Sequence, residues 1–121
     1  MTDLEEVEIQ IDAANKMRQM RDSCVKLMKN KAFKDVIEEG YFKEEAARLV
    51  MAKSAPLDEL QQKNVDGMII GIGALANYMN MVMRRGADMD VAVGEHEETR
   101  EEILAEELTA NGWYPSCFKL I

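Results

Sequence analysis

The sequence predicts an all-α protein: a long N-terminal helix, two short helices and a long C-terminal helix, in an elongated helical bundle or hairpin. Two observations carry this. In LDELQQKNVDGMIIGIGALANYMNMVMRR, residues 57–85, the apolar residues Val65, Met68, Ile72, Leu75, Met79 and Val82 recur at alternating three- and four-residue steps, which places them on one helix face as a packing seam. Ile69, Ala76 and Met83 widen that stripe. At the other end of the chain, Thr2 followed by Glu5 reads as a capping box in front of a second periodic run.

The first helix is expected to run from this cap to about Asn30, burying Leu4, Val7, Ile11, Ala14, Met17, Met20, Cys24 and Leu27, with one shortened step after Ala14 that rotates the seam. At 1.5 Å per residue such a helix is roughly 40 Å long, more than a compact domain of this size covers, so part of it is expected to meet another subunit or partner. A short helix follows from Asn30 to Gly40, with Ala32, Phe33, Val36 and Ile37 on its inner face and Gly40 as a left-handed cap. Tyr41 and Phe42 open a third helix, with Phe42, Ala46, Leu49 and Val50 facing inward. Ser54, Ala55 and Pro56 break the chain, and Pro56 suits the first turn of the last helix.

The seam of that last helix keeps its phase beyond Val82 through Gly86, Met89, Val93, His96, Arg100 and Ile103. One helix is therefore expected from Leu57 to about Leu108, with Gly86 and Gly94 as places where it bends or breaks, since each costs about 1 kcal/mol relative to alanine. Gly67, Gly71 and Ala74 fall on one side, where they would let another helix approach closely. Asn111 and Gly112 supply a stop. The expected organisation is a single helical domain over residues 1–112 and an aromatic tail over 113–121. In that tail, Pro115 forbids a regular helix, and Trp113, Tyr114, Phe118, Leu120 and Ile121 are suited either to cover the protein's own core or to dock on another subunit.

Composition limits the function. A chain of 121 residues with ten methionines, 6% aromatic and 31% charged residues has an adaptable core and no room for separate cofactor and substrate domains. A net charge of −8 makes nucleic acid an unlikely general partner, because such binding neutralises phosphates with basic surface. Cys24 and Cys117 lack metal-ligand spacing. The longest apolar run, 67–76, falls short of the roughly 20 residues of a membrane span. The expectation is a reduced, cytoplasmic protein with no membrane partner.

No motif nominates an enzyme. Gly71, Gly73 and Ala76 fit a G-x-G-x-x-A dinucleotide fingerprint, but the fingerprint needs a preceding strand and a βαβ unit, and the residues before it are in helical phase. His96 stands in HEETR, where Arg100 occupies the second ligand position of a zinc motif. Asp88, Asp90 and Glu95 lack the ligand order of a calcium loop. Neither catalytic residues, cofactor nor metal is therefore expected. Charge is more informative: seven basic residues stand against Asp22 between Lys16 and Lys34, and seven glutamates against Arg100 between Glu95 and Glu107. These segments suit solvated faces, pairing within a subunit, or head-to-tail recognition between subunits. A contact of the basic helix with nucleic acid is a further alternative.

Three stretches, NKAFKDVIEEGYFKEEAARLV (30–50), DELQQKNVDGMIIGIGALANYM (58–79) and EETREEIL (97–104), resemble a group of small helical proteins encoded by tailed bacteriophages. The resemblance covers most of the chain except the aromatic tail and brings no catalytic or binding residue with it. It implies a viral origin and a place among virion morphogenesis proteins: a non-enzymatic structural or assembly protein, a homo-oligomer that also contacts other phage structural proteins. The alternative is an early phage protein that inhibits a host enzyme or defence protein, its acidic helix mimicking nucleic acid.

Overall fold

The computed structural model describes residues 2–110, and in these the protein is all-α. Helix α1 spans Asp3–Lys29, and its start is the capping box read from the sequence: the Glu5 amide donates to Thr2 Oγ1 at 3.1 Å and the Thr2 amide to Glu5 Oε2 at 3.2 Å. Asn30 interrupts it and caps the next element, its side chain accepting from the Phe33 amide at 3.0 Å.

The two short helices expected next form one helical run over 31–52. A turn of α-helix, α2 (Lys31–Phe33), passes into a π-helical segment, π1 (Lys34–Glu45), and then into α3 (Ala46–Ala52). Gly40 sits inside π1 and does not cap a helix. The sequence reading assumed 3.6 residues per turn, whereas Phe33, Glu38, Phe42 and Ala46, all half-buried, follow one another at steps of five and four. A wider turn puts them on one face. A π segment of 12 residues is long for a geometry that ordinarily appears as a single-turn bulge.

The chain breaks at 53–58, where Pro56 stands. Helix α4 (Glu59–Ala110) then continues for 52 residues through both Gly86 and Gly94. Pro56 is not in its first turn. Asp58 is the cap, accepting from the Gln61 amide at 2.8 Å while its own amide donates to Gln61 Oε1 at 3.1 Å.

The chain divides into two compact units, one of Met1–Gln19 with Arg85–Ile121 and one of Met20–Arg84. Each has a small core. In the first, Val7, Ile11 and Ala14 of α1 and Val93 of α4 are buried, as is Gly86; in the second, Cys24, Leu49, Ile72 and Val82 are. No described side chain is more than 98% buried, so each helix hides a stripe and leaves the rest to solvent.

The α1 seam keeps its phase where a shift was expected. After Val7, Ile11 and Ala14, the covered positions are Arg18, Arg21, Cys24, Val25 and Met28, whereas Met17, Met20 and Leu27 are exposed. The expected rotation rested on keeping apolar residues inside. Instead, Arg18 occupies the seam with its head group paired: Nε donates to Asp90 Oδ1 at 2.9 Å and Nη1 to Asn15 Oδ1 at 3.2 Å. A long side chain lays its methylenes on the seam and keeps its charge at the edge.

Candidate functional site

The Met20–Arg84 unit carries a groove of about 230 Å³. One wall comes from α1, where Met20, Ser23, Cys24 and Leu27 recur at helical spacing; the other comes from α4 through Leu75, Tyr78, Met79 and Val82. Phe33 completes it. Met20, Leu27 and Tyr78 are about half exposed, while Cys24 and Val82 are buried. Cys24 Sγ lies 3.9 Å from Met28 Sδ, a weak contact between soft atoms. Although Ser23 and Tyr78 are members, the surface the lining presents is almost wholly apolar. Such a groove takes up apolar side chains.

A second cleft of about 240 Å³ shares Phe33 and Met79 with the first and is completed by Met28, Phe42, Ala76 and Met83, with Glu38 and Asn80 as polar members. Beside it the Tyr41 and Phe42 rings stand 6.0 Å apart, tilted by 41°.

The structure places the expected packing residues as follows. Ile72 and Val82 are buried, and Val65 and Met79 half-buried. Met68 is exposed, and so is Leu75, which instead forms part of a groove wall. On this stretch the covered stripe runs Val65, Ile69, Ile72, Ala76, Met79, Met83. That stripe and the expected one are adjacent and both apolar, so periodicity alone does not choose between them. Gly67, Gly71 and Ala74 are exposed, and within the described residues no helix backbone approaches the two glycines: nothing lies within 4 Å of a Cβ built on Gly67, and at Gly71 the nearest atom is the Tyr41 hydroxyl at 3.9 Å. Among the described residues the buried glycine is Gly86. The tail residues Trp113, Tyr114, Phe118, Leu120 and Ile121 lie outside the described residues.

The charged segments are open to solvent. Lys16, Lys26, Lys29, Lys31 and Lys34 are exposed, as are all seven glutamates from Glu95 to Glu107. Of the two basic residues on the seam, Arg18 pairs with Asp90 and Arg21 with Asp22, at 2.9 and 3.0 Å. Elsewhere Lys53 meets Asp66 at 2.7 Å, Lys43 meets Glu39 at 2.8 Å, and Arg48 pairs with Glu45. Glu39 holds the Lys43 ammonium above its ordinary value through a hydrogen bond and its charge; the Arg48 guanidinium likewise holds the Glu45 carboxyl below its own. Among the described residues no cluster of three or more histidine, cysteine or acidic side chains is arranged to hold a metal.

Helix α4 bears on the membrane expectation. Short apolar runs argued against a membrane-crossing segment, yet an 18-residue window of this helix is long and apolar enough to cross a membrane by length and composition, and 11% of it is buried. Small residues and the amides of Asn77 and Asn80 interrupt the apolar run without adding charge.

No family model matches the chain, and no curated protein or solved structure matches it.

Proposed function

We propose that this is a non-enzymatic assembly protein that works by offering helix faces to other copies of itself and to further structural proteins. The observation that supports this reading is the mismatch between apolar content and burial. The chain is 47% hydrophobic, yet only eight hydrophobic side chains are buried among the described residues, while Met51, Leu60, Ile70, Val36 and Val91 are 65–70% exposed. Apolar surface on this scale marks interaction sites, and a homo-oligomer is the commonest way to cover it.

The setting we propose is the assembly of a tailed bacteriophage particle, a reading that rests on the resemblance of residues 30–50, 58–79 and 97–104 to small helical phage proteins. Mass spectrometry of purified particles tests it. Presence at a fixed, symmetric copy number supports a virion component; absence from particles and from their assembly intermediates refutes the structural role. A second reading draws on the seven exposed glutamates of α4, which would let the protein imitate nucleic acid and inhibit a host protein. Salt-sensitive capture of a host nucleic-acid-binding protein, lost when those glutamates are reversed, would favour it.

A further inference from the structure

Charge is divided unevenly between the two compact units. Residues 20–84 contain ten Lys and Arg against nine Asp and Glu, and residues 1–19 with 85–121 contain five against fourteen. The units thus carry +1 and −9, which together give the −8 of the whole chain.

The apolar groove belongs to the unit that is close to neutral, and the chain that builds one of its walls is basic. Between residues 20 and 34, Arg21, Lys26, Lys29, Lys31 and Lys34 stand against Asp22 alone, and all four lysines are exposed. The acidic unit presents the complementary combination. Along α4, Glu97, Glu101, Leu104 and Leu108 follow at four-, three- and four-residue steps and so share one face. Leu104 and Leu108 are 41% and 37% exposed. Beyond Ala110 the same chain continues for eleven residues that include Trp113, Tyr114 and Phe118.

We propose that the groove receives the C-terminal segment of a second copy of this chain, with Leu104, Leu108 and Trp113 as the apolar guests and the glutamates of α4 facing the exposed Lys26, Lys31 and Lys34, which lie within two residues of the groove residues Leu27 and Phe33 along the chain. This names the contact behind the self-association proposed above and rests on it. Charge selects the arrangement. Two copies meeting through their acidic units would set −9 against −9, whereas the groove of one against the acidic end of the next joins opposite signs and suppresses the wrong pairing. The contact is head-to-tail, so it closes into a ring or continues as a filament instead of stopping at a symmetric dimer.

Sedimentation velocity on the whole protein, from about 1 to 100 μM to bracket a micromolar contact, tests this with two charge-reversal sets. One is Lys26→Glu, Lys31→Glu and Lys34→Glu; the other is Glu97→Lys, Glu98→Lys and Glu101→Lys. All six positions are exposed, and circular dichroism verifies that helix content is kept. Each set alone is expected to weaken association at least about tenfold, and an equimolar mixture to restore it as heterodimers, because the unaltered groove of the glutamate-reversed variant then meets the unaltered acidic segment of the lysine-reversed one. Trp113 is the sole tryptophan, so its emission is expected to shift to the blue as the wild type associates. Tyr78→Lys, in the half-exposed groove wall, is expected to abolish that shift.

Wild-type association that neither set weakens, or that the mixture fails to restore, overturns the proposed contact while self-association stands. Association with unchanged Trp113 emission overturns the tail as guest. A wild type that remains monomeric at 100 μM removes both the contact and the self-association beneath it, and if that monomer floats with phospholipid vesicles the groove belongs to a lipid surface.

Discussion

Replacing Leu49 with alanine tests whether the small core of the Met20–Arg84 unit holds that unit together. Leu49 is 2% exposed, the most buried described side chain, and it lies on α3 beside Val50, which is 57% exposed. The substitution removes three buried carbons, a transfer loss of about 2.4 kcal/mol at about 0.8 kcal/mol per methylene. The small core leaves few buried side chains in this unit, so a modest cavity term is added and a total of about 2.5–3.5 kcal/mol is expected, in the lower half of the range for Leu→Ala. Val50→Ala is the control. It removes two carbons already more than half in water and gains helix propensity, so its net effect is within about 0.5 kcal/mol of zero. Urea unfolding followed at 222 nm, at one fixed protein concentration, reads both. With a slope of about 1–3 kcal/mol/M, Leu49→Ala lowers the midpoint by about 1–3 M and Val50→Ala leaves it in place. Equal shifts for the two variants, or a loss below about 1 kcal/mol for Leu49→Ala, would refute the packing described for α3.

Three further outcomes are expected. Gly40→Ala destabilises the 31–52 run although alanine is the better helix former, because the added Cβ meets the Asp35 carbonyl oxygen at 3.2 Å and that oxygen is part of the backbone; a gain of the usual ~1 kcal/mol in urea midpoint would contradict it. Asp58→Ala removes the acceptor for the Gln61 amide and costs about 1 kcal/mol, read as earlier melting of helix signal in a thermal scan, with Asp58→Asn largely restoring it. For pH, the Glu45 carboxyl is lowered in the folded state by Arg48, so what this pair adds is present above the ordinary carboxylate range and lost as pH falls through the lowered value. Lys43 is raised by Glu39, so its contribution is present below its ordinary value and lost as pH rises through the raised one. Urea midpoints of Glu45→Gln and wild type therefore differ at neutral pH and converge in acid, whereas Lys43→Met and wild type converge in alkali.

What could be read in advance, and what could not, follows from the physics of each segment. Caps are short-range and chemically explicit, so the Thr2–Glu5 start and the break around Pro56 were visible, and the Asp58–Gln61 box carries the same signature. The passage of α4 through Gly86 and Gly94 was legible because the three-and-four pattern never lost phase. The course of α1 beyond Ala14 was not, since a rule that keeps apolar residues inside cannot anticipate that Arg18 would lie on the seam with Asp90, 72 residues away, to take its charge. The π segment escaped for a related reason: the spacing of Phe33, Glu38, Phe42 and Ala46 has meaning only if turns of more than four residues are allowed. The groove itself could not be read, because its walls come from α1 and α4 and their pairing is a tertiary fact. Met20, Leu27 and Leu75 looked like core to a one-dimensional pattern.

Phe33 and Met79 line both clefts of the Met20–Arg84 unit, which makes them a party wall with two tenants. A thioether chain has three rotatable bonds and few preferences, so Met79 yields readily when either side is filled, and the volume gained by one side is taken from the other. Occupancy of the two clefts is therefore antagonistic, and by reciprocity a molecule lodged beside Phe42 and Glu38 loosens whatever sits beside Tyr78 by the same factor that it is itself loosened. A small apolar compound directed at the second cleft would thus release a guest from the first without touching it.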